Sequence, residues 1–137
     1  MKIRVCALSS LCILASSACA QRTPEQILAH HVATFTHRNW NGVLADYAED
    51  AVFLGPDAPI EGKRKLLGFF HSLDNHVPPL RFEERLLAVQ GDVGQIEWVM
   101  NRGQPGAMAG RDVFIIRHGE IVFQGTVAVH SAAASAP

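Results

Sequence analysis

The apolar residues of this chain change their period once, around His76-Val77-Pro78-Pro79, and that single switch decides the fold class. Before it they recur at helical spacing; after it they fall in alternating, strand-like runs. Thr23 can cap a helix, Pro24 suits its first position, and Gln26 completes a Thr-x-x-Gln capping box. Leu28, His31, Val32 and Phe35 then share one face. Asn39 to Gly42 breaks this helix, and a second short one carries Val43, Leu44 and Tyr47. Ala51 to Leu54 reads as a strand, ended by Gly55-Pro56-Asp57-Ala58-Pro59. A third helix, from about Lys63 to Asp74, sets Leu66, Leu67, Phe70 and Leu73 on one side. Four strand-like runs follow: Arg81–Val89, Val93–Asn101, Met108–Arg117 and Glu120–His130, with turns at Gly91-Asp92, Gly103 to Gly106 and His118-Gly119. Helices first and strands afterwards mean an α+β domain. Three N-terminal helices pack on a strongly bent, mainly antiparallel sheet of four long strands and a short one. A cone-shaped α+β barrel of this kind is too wide at one end for side chains to fill, so a pocket is expected.

The first twenty residues have the parts of an export signal. Lys2 and Arg4 give a positive start, Val5 to Ala15 an apolar run, and Ala18-Cys19-Ala20-Gln21 a small-residue cleavage site before Gln21. The apolar run is about 11 residues, against the roughly 20 that span a bilayer. Ser17-Ala18-Cys19 also resembles the end of a bacterial lipobox, so a membrane anchor through a lipidated Cys19 is the alternative. The expected location is the periplasm or the exterior. Cys6, Cys12 and Cys19 all lie in this leader, so residues 21–130 form one cysteine-free domain without disulfides or thiolate ligands. Residues 131–137 are small and have nothing to bury, and a disordered tail is expected there. Without Lys2 and Arg4 the balance is 10 basic against 13 acidic residues, which argues against nucleic acid as a partner.

The histidines do not form a metal site. His30 and His37 are seven residues apart, roughly 10 Å along a helix, and there is no His-x-His or His-x-x-x-His. No Gly-rich phosphate loop or Gly-x-Ser-x-Gly is present, so no metal or other cofactor is expected. In Arg111-Asp-Val-Phe-Ile-Ile-Arg, the strand period puts Asp112, Phe114 and Ile116 on one face. Ile96, Trp98 and Met100 alternate with Gln95, Glu97 and Val99, leaving open which set faces outward. Trp40, at a helix junction, reads as a packing residue.

The order of these features resembles the nuclear-transport-factor-2-like superfamily, which includes ketosteroid isomerases and SnoaL-type polyketide cyclases. The residues that carry the resemblance are Tyr47-Ala-Glu-Asp-Ala-Val-Phe followed by Gly55-Pro56, Glu61-Gly62 opening the third helix, and Gly110-Arg-Asp-Val-Phe-Ile-Ile-Arg-His-Gly-Glu-Ile. The resemblance implies the α+β cone. In ketosteroid isomerases a carboxylate base works with a tyrosine and a protonated aspartic acid. Here the base position falls on Gly55, which cannot take a proton, the tyrosine position on His31 and the protonated-acid position on Asp112. The resemblance therefore implies a His31–Asp112 acid–base pair rather than steroid isomerisation, with Phe35, Phe114 and Ile116 lining the pocket. It also implies a homodimer, with Trp98 as an anchor on the outer sheet face. Three functions follow: an exported protein binding an apolar or mixed-polarity small molecule, a cofactor-free isomerase, cyclase or dehydratase, or a non-catalytic dimerisation module.

Overall fold

The computed structural model describes residues 21–55, 57–75 and 81–130. The leader with its three cysteines, His76 and the tail at 131–137 lie outside these. The first helix, α1, is Pro24–Thr36, and its start is built as the capping box requires. Thr23 Oγ1 accepts from the Gln26 amide, and Gln26 Oε1 accepts from the Thr23 amide at 2.9 Å. α2 is one short turn, Trp40–Leu44, capped by Asn39, whose side chain accepts from the Gly42 amide at 3.1 Å. Strand β1, Tyr47–Leu54, and the short β2, Pro59–Glu61, lead into α3, Lys63–Ser72, and a 3-10 turn. Four long strands complete the chain: β3 Phe82–Gln90, β4 Val93–Met100, β5 Met108–Arg117 and β6 Glu120–His130.

The strands form one open sheet in the order β2-β1-β6-β5-β4-β3. β1 and β6 run parallel; the other neighbours are antiparallel. The α+β architecture is as expected, with two differences in detail. The sheet has six strands, because Pro59–Glu61 pairs with β1. Tyr47 opens β1 rather than closing α2. α2 ends at Leu44 with Ala45 as its C-cap, and Asp46 follows, whose fully buried carboxylate binds Arg22 at 2.7 Å and His30 at 2.8 Å. The Asp46 carbonyl accepts from the Ile121 amide at 2.7 Å. One residue thus ties the start of α1 to the starts of β1 and β6.

Two irregularities decide which side chains face the helices. β1 shifts register against β6 between Tyr47 and Val52. β6 shifts against β5 between Ile121 and Phe123, so that Ile121 pairs with Ile116 but Phe123 with Ile115. A one-residue bulge reverses the side-chain parity of everything beyond it. Ile121 is fully buried, and beyond the bulge Gln124 is the buried residue and Val127 is 72% exposed. Gln124, Thr126 and Ala128 therefore face inward.

α1 lies across the sheet with Ile27, Leu28 and His31 buried. It can approach β4 closely because Gly94 has no side chain; a Cβ there would lie 2.2 Å from Leu28 Cδ1. Since Leu28 is fully buried, it has little room to yield. Gly94→Ala is therefore expected to destabilise the fold by about 1–3 kcal/mol through overpacking. Gly68, on the exposed side of α3 with nothing within 4 Å of a built Cβ, supplies the control. Gly68→Ala should stabilise by about 0.5–1 kcal/mol. Urea denaturation of the two variants checks both signs.

Candidate functional site

Between the helices and the inner face of the sheet lies a cavity of about 640 Å³. Its wide end is formed where β4 ends at Met100 and β5 begins at Met108, together with the C-terminal part of α3. The walls are mainly aromatic and sulfur-bearing: Phe35 from α1, Phe53 from β1, Phe69 and Phe70 from α3, Phe82 from β3, and Met100. Rings pack edge to face and tilted around it, with Phe35 4.9 Å from Phe82 and 5.5 Å from Trp40.

The inner end is polar. Asp112 on β5 stands between Ile96 of β4 and Thr126 of β6 in the cross-strand register. The Thr126 hydroxyl donates to Asp112 Oδ1 at 2.7 Å, and the Gln124 amide reaches Thr126 Oγ1 at 3.5 Å. The Tyr47 hydroxyl donates in turn to Gln124 Oε1. Four side chains from β1, β6 and β5 thus form one line of hydrogen bonds ending on the carboxyl group. Asp112 keeps part of its surface open to the cavity but is otherwise enclosed by protein. Loss of hydration raises its pKa to about 6, against the opposing hydrogen bonds of Thr126, Trp98 and Gln124. The Trp98 indole N–H interacts with this carboxyl without reaching full hydrogen-bond geometry. Burial, with the charges of Asp112 and Asp46 adding to it, raises the Tyr47 pKa well above its ordinary value, so this phenol stays protonated.

His31 is placed as its helical position requires, pointing inward and only 4% exposed. Its ring lies 5.5 Å from that of Tyr47 and 5.4 Å from that of Phe114. Burial among these rings lowers its pKa to about 4, Asp46 opposing and His30 adding a little. His31 is therefore a neutral imidazole, not one poised near neutral pH. Its Nδ1 is buried without a partner among the described residues. His31 and Asp112 both line the cavity, but no hydrogen bond joins them. The expected acid–base pair is two separate groups on one cavity.

Phe35 lines the cavity; Phe114 and Ile116 do not. They share the inward face with Asp112 but lie nearer the narrow end, 0% and 2% exposed, as packed core beside His31 and Ile121. Trp98 is not on the outer face. It is 4% exposed and lines the cavity with Ile96 and Met100, which leaves Gln95 and Glu97 to the outside. Gly110 makes this possible: a Cβ there would lie 2.3 Å from the indole. Trp40 is a packing residue, stacked on Phe70 at 5.9 Å with its N–H donating to Asp74 at 2.8 Å.

Tyr47, Gln124 and Thr126 were not expected as site residues. The β6 bulge hid the last two, since simple alternation along Ile-Val-Phe-Gln-Gly-Thr-Val puts Ile121, Phe123 and Val127 on the core side. Among the described residues no group of three or more His, Cys, Asp or Glu side chains is arranged to hold a metal ion.

The sequence profile of the SnoaL-like domain matches residues 28–124. No curated protein matches the chain. Among solved structures, a nuclear-transport-factor-2-like protein of unknown function from Cytophaga hutchinsonii superposes with a TM-score of 0.68 at 14% identity, covering 80% of this chain and 93% of its own. A second such protein, from Burkholderia xenovorans, gives 0.68 at 16% identity over 78% and 83% of the two chains. A protein with a ketosteroid isomerase-like fold from Catenulispora acidiphila, in complex with trimethylamine, gives 0.65 at 21% identity over 83% and 91%.

The raised pKa of Asp112 fixes the sign of a pH effect. A carboxyl with a higher pKa folded than unfolded contributes stability below about pH 4 that is lost as pH rises through about 6. Asn at this position keeps an acceptor for Thr126 but has no proton to lose. Asp112→Asn should therefore gain stability over the natural protein, by the order of 2 kcal/mol between pH 4 and pH 7.5. The titration of His31 affects both proteins and cancels. Urea denaturation at the two pH values reads the difference, and a constant difference would contradict a desolvated carboxyl.

Proposed function

The chain belongs to the SnoaL-like domain family, and from that premise we propose that it binds a small, ring-bearing molecule in its cavity. The observation that carries this reading is a space of about 640 Å³ with mainly aromatic walls and a row of polar groups around Asp112 at its inner end. Pockets of roughly 300–1,000 Å³ suit drug-sized ligands, which apolar walls desolvate and a few polar groups orient. The ring system lies against Phe35, Phe69 and Phe82, and its polar group meets Asp112 and His31. That the Catenulispora acidiphila protein, which has a similar fold, is in complex with trimethylamine supports small-molecule binding as a reading.

A second reading is proton transfer on the bound molecule, as in a cofactor-free isomerase, cyclase or dehydratase. The observation favouring it is the pKa of Asp112, about 6, which suits a group that both takes and returns a proton near neutral pH. Asp112 then carries the proton, and neutral His31 hydrogen-bonds the substrate from the α1 side. The two act on the ligand separately rather than as a contacting pair.

Export and self-association belong to the same proposal. The Ala18-Cys19-Ala20 cleavage pattern supports a periplasmic or secreted protein, with lipidation of Cys19 as the membrane-bound form. With Trp98 inside, a homodimer through the outer sheet face rests on exposed Val113 and Val127.

Calorimetry with 1-tetralone, a neutral bicyclic ketone, tests the binding reading. Met108→Trp fills the wide end of the cavity and should weaken binding at least about tenfold, as loss of a buried ring contact does. Undiminished binding would put the ligand elsewhere. Exchange of the ketone's α-protons into D₂O, followed by NMR, reports the second reading. Exchange faster than in buffer, and lost by about 10²–10⁴-fold in Asp112→Asn, would support turnover chemistry.

A further inference from the structure

The charges on the cavity walls are one-sided. Asp112 lies at the inner end, and Asp57, exposed between β1 and β2, also lines the cavity. Among the described lining residues there is no lysine or arginine. The arginines flanking this part of β5 turn the other way: Arg111 is exposed and pairs with Glu97 on the outer face, and Arg117 is exposed at the strand end. Asp112 is satisfied by neutral donors alone, the Thr126 hydroxyl and, more weakly, the Trp98 N–H. A carboxylate held away from water without a counter-ion is unfavourable, and a ligand cation or a proton relieves it.

The walls around it are suited to the first remedy. Trp98 lies beside the carboxyl, and Phe35, Phe53, Phe69 and Phe82 present rings to the same space. A ring face attracts a cation through its quadrupole, most strongly when both are desolvated. From this juxtaposition we infer that the cavity takes an organic cation, a ring-bearing amine or quaternary ammonium compound, whose positive charge sits between Asp112 and the aromatic walls. The inference rests on the small-molecule reading above and names its ligand class.

The alternative is a neutral ligand accepting a hydrogen bond from protonated Asp112, and pH separates the two. The other ionisable groups facing Asp112 do not change charge in the relevant range. His31 on α1 titrates near 4, and Tyr47 on β1 stays protonated. From α3, Phe69, Phe70 and Ser72 bring no ionisable group, and neither do Trp98 on β4 or Gln124 and Thr126 on β6. Asp57 is exposed at the rim. A cation therefore binds the ionised form of Asp112 and should bind more tightly as pH rises through about 6. A neutral acceptor should do the reverse.

Benzyltrimethylammonium is a suitable probe because its charge does not depend on pH. Neopentylbenzene, with carbon in place of the nitrogen, has the same shape and no charge. Calorimetry with the folded protein at pH 5 and pH 8 should show the cation binding roughly tenfold tighter at pH 8, as one titrating site requires. It should bind more tightly than the neutral isostere at pH 8. Asp112→Asn should remove the pH dependence and narrow the gap between the cation and the isostere. If neopentylbenzene binds as well as the cation at pH 8, the cation inference falls and the small-molecule reading stands. If neither probe binds and 1-tetralone also fails, both fall. The pH comparison on the natural protein decides the matter even if the variant folds poorly.

Discussion

The bulge between Ile121 and Phe123 turns the last strand over, and the polar end of the cavity depends on it. Before the bulge, Ile121 is buried against Ile116; after it, Gln124 and Thr126 take the inward positions that alternation assigns to Phe123 and Gly125. A side-chain period of two allows no other remedy, because a single inserted residue exchanges the two faces of everything that follows. Thr126 then stands directly across from Asp112, and Gln124 spans from Thr126 to Tyr47 on the neighbouring strand. Without that reversal Asp112 would face Gly125 or Val127 with no donor in reach.

The rest of the molecule keeps this polar row enclosed but not filled. Gly94 and Gly110 act in opposite places on the sheet. At Gly94 the missing side chain lets Leu28 press down and closes the narrow end, while at Gly110 it lets the Trp98 ring lie flat against the wall. Phe114 and Ile116 complete the closed end as core. At the other end the phenylalanines of α1, α3, β1 and β3 pack ring against ring around a space that they do not fill. The carboxyl at the boundary between these regions has too little water to ionise freely and, among the described residues, no lysine or arginine lining the cavity with it. Its chemistry follows from that position more than from its immediate hydrogen bonds, which pull the pKa the other way.

Much of the fold was legible because it was local. The Thr23–Gln26 capping box, the Asn39 break and the four long strands follow from spacing and turn residues, and they appear where that spacing puts them. What escaped depends on partners distant in sequence. β2 is a strand only because β1 is beside it, and Tyr47 pairs with Ile121 on β6 in place of continuing a helix. The inward position of His31 and the shared face of Asp112, Phe114 and Ile116 were readable. That Phe114 and Ile116 are core and not cavity wall was not, since alternation gives the face but not the depth. Trp98 illustrates the same limit: its set of residues was clear from alternation, while the side it faces depends on Gly110 across the strand.

The chemistry of the cavity centres on Asp112, a lone carboxyl at the inner end of an aromatic space. Titration of its side-chain carbon by ¹³C NMR in the ligand-free protein tests that directly. The expected result is a midpoint near 6, above the ordinary carboxylate range, moving downward when benzyltrimethylammonium is added. A midpoint at or below the ordinary value of about 4, unmoved by the cation, would mean a carboxyl already hydrated or paired, and would contradict it.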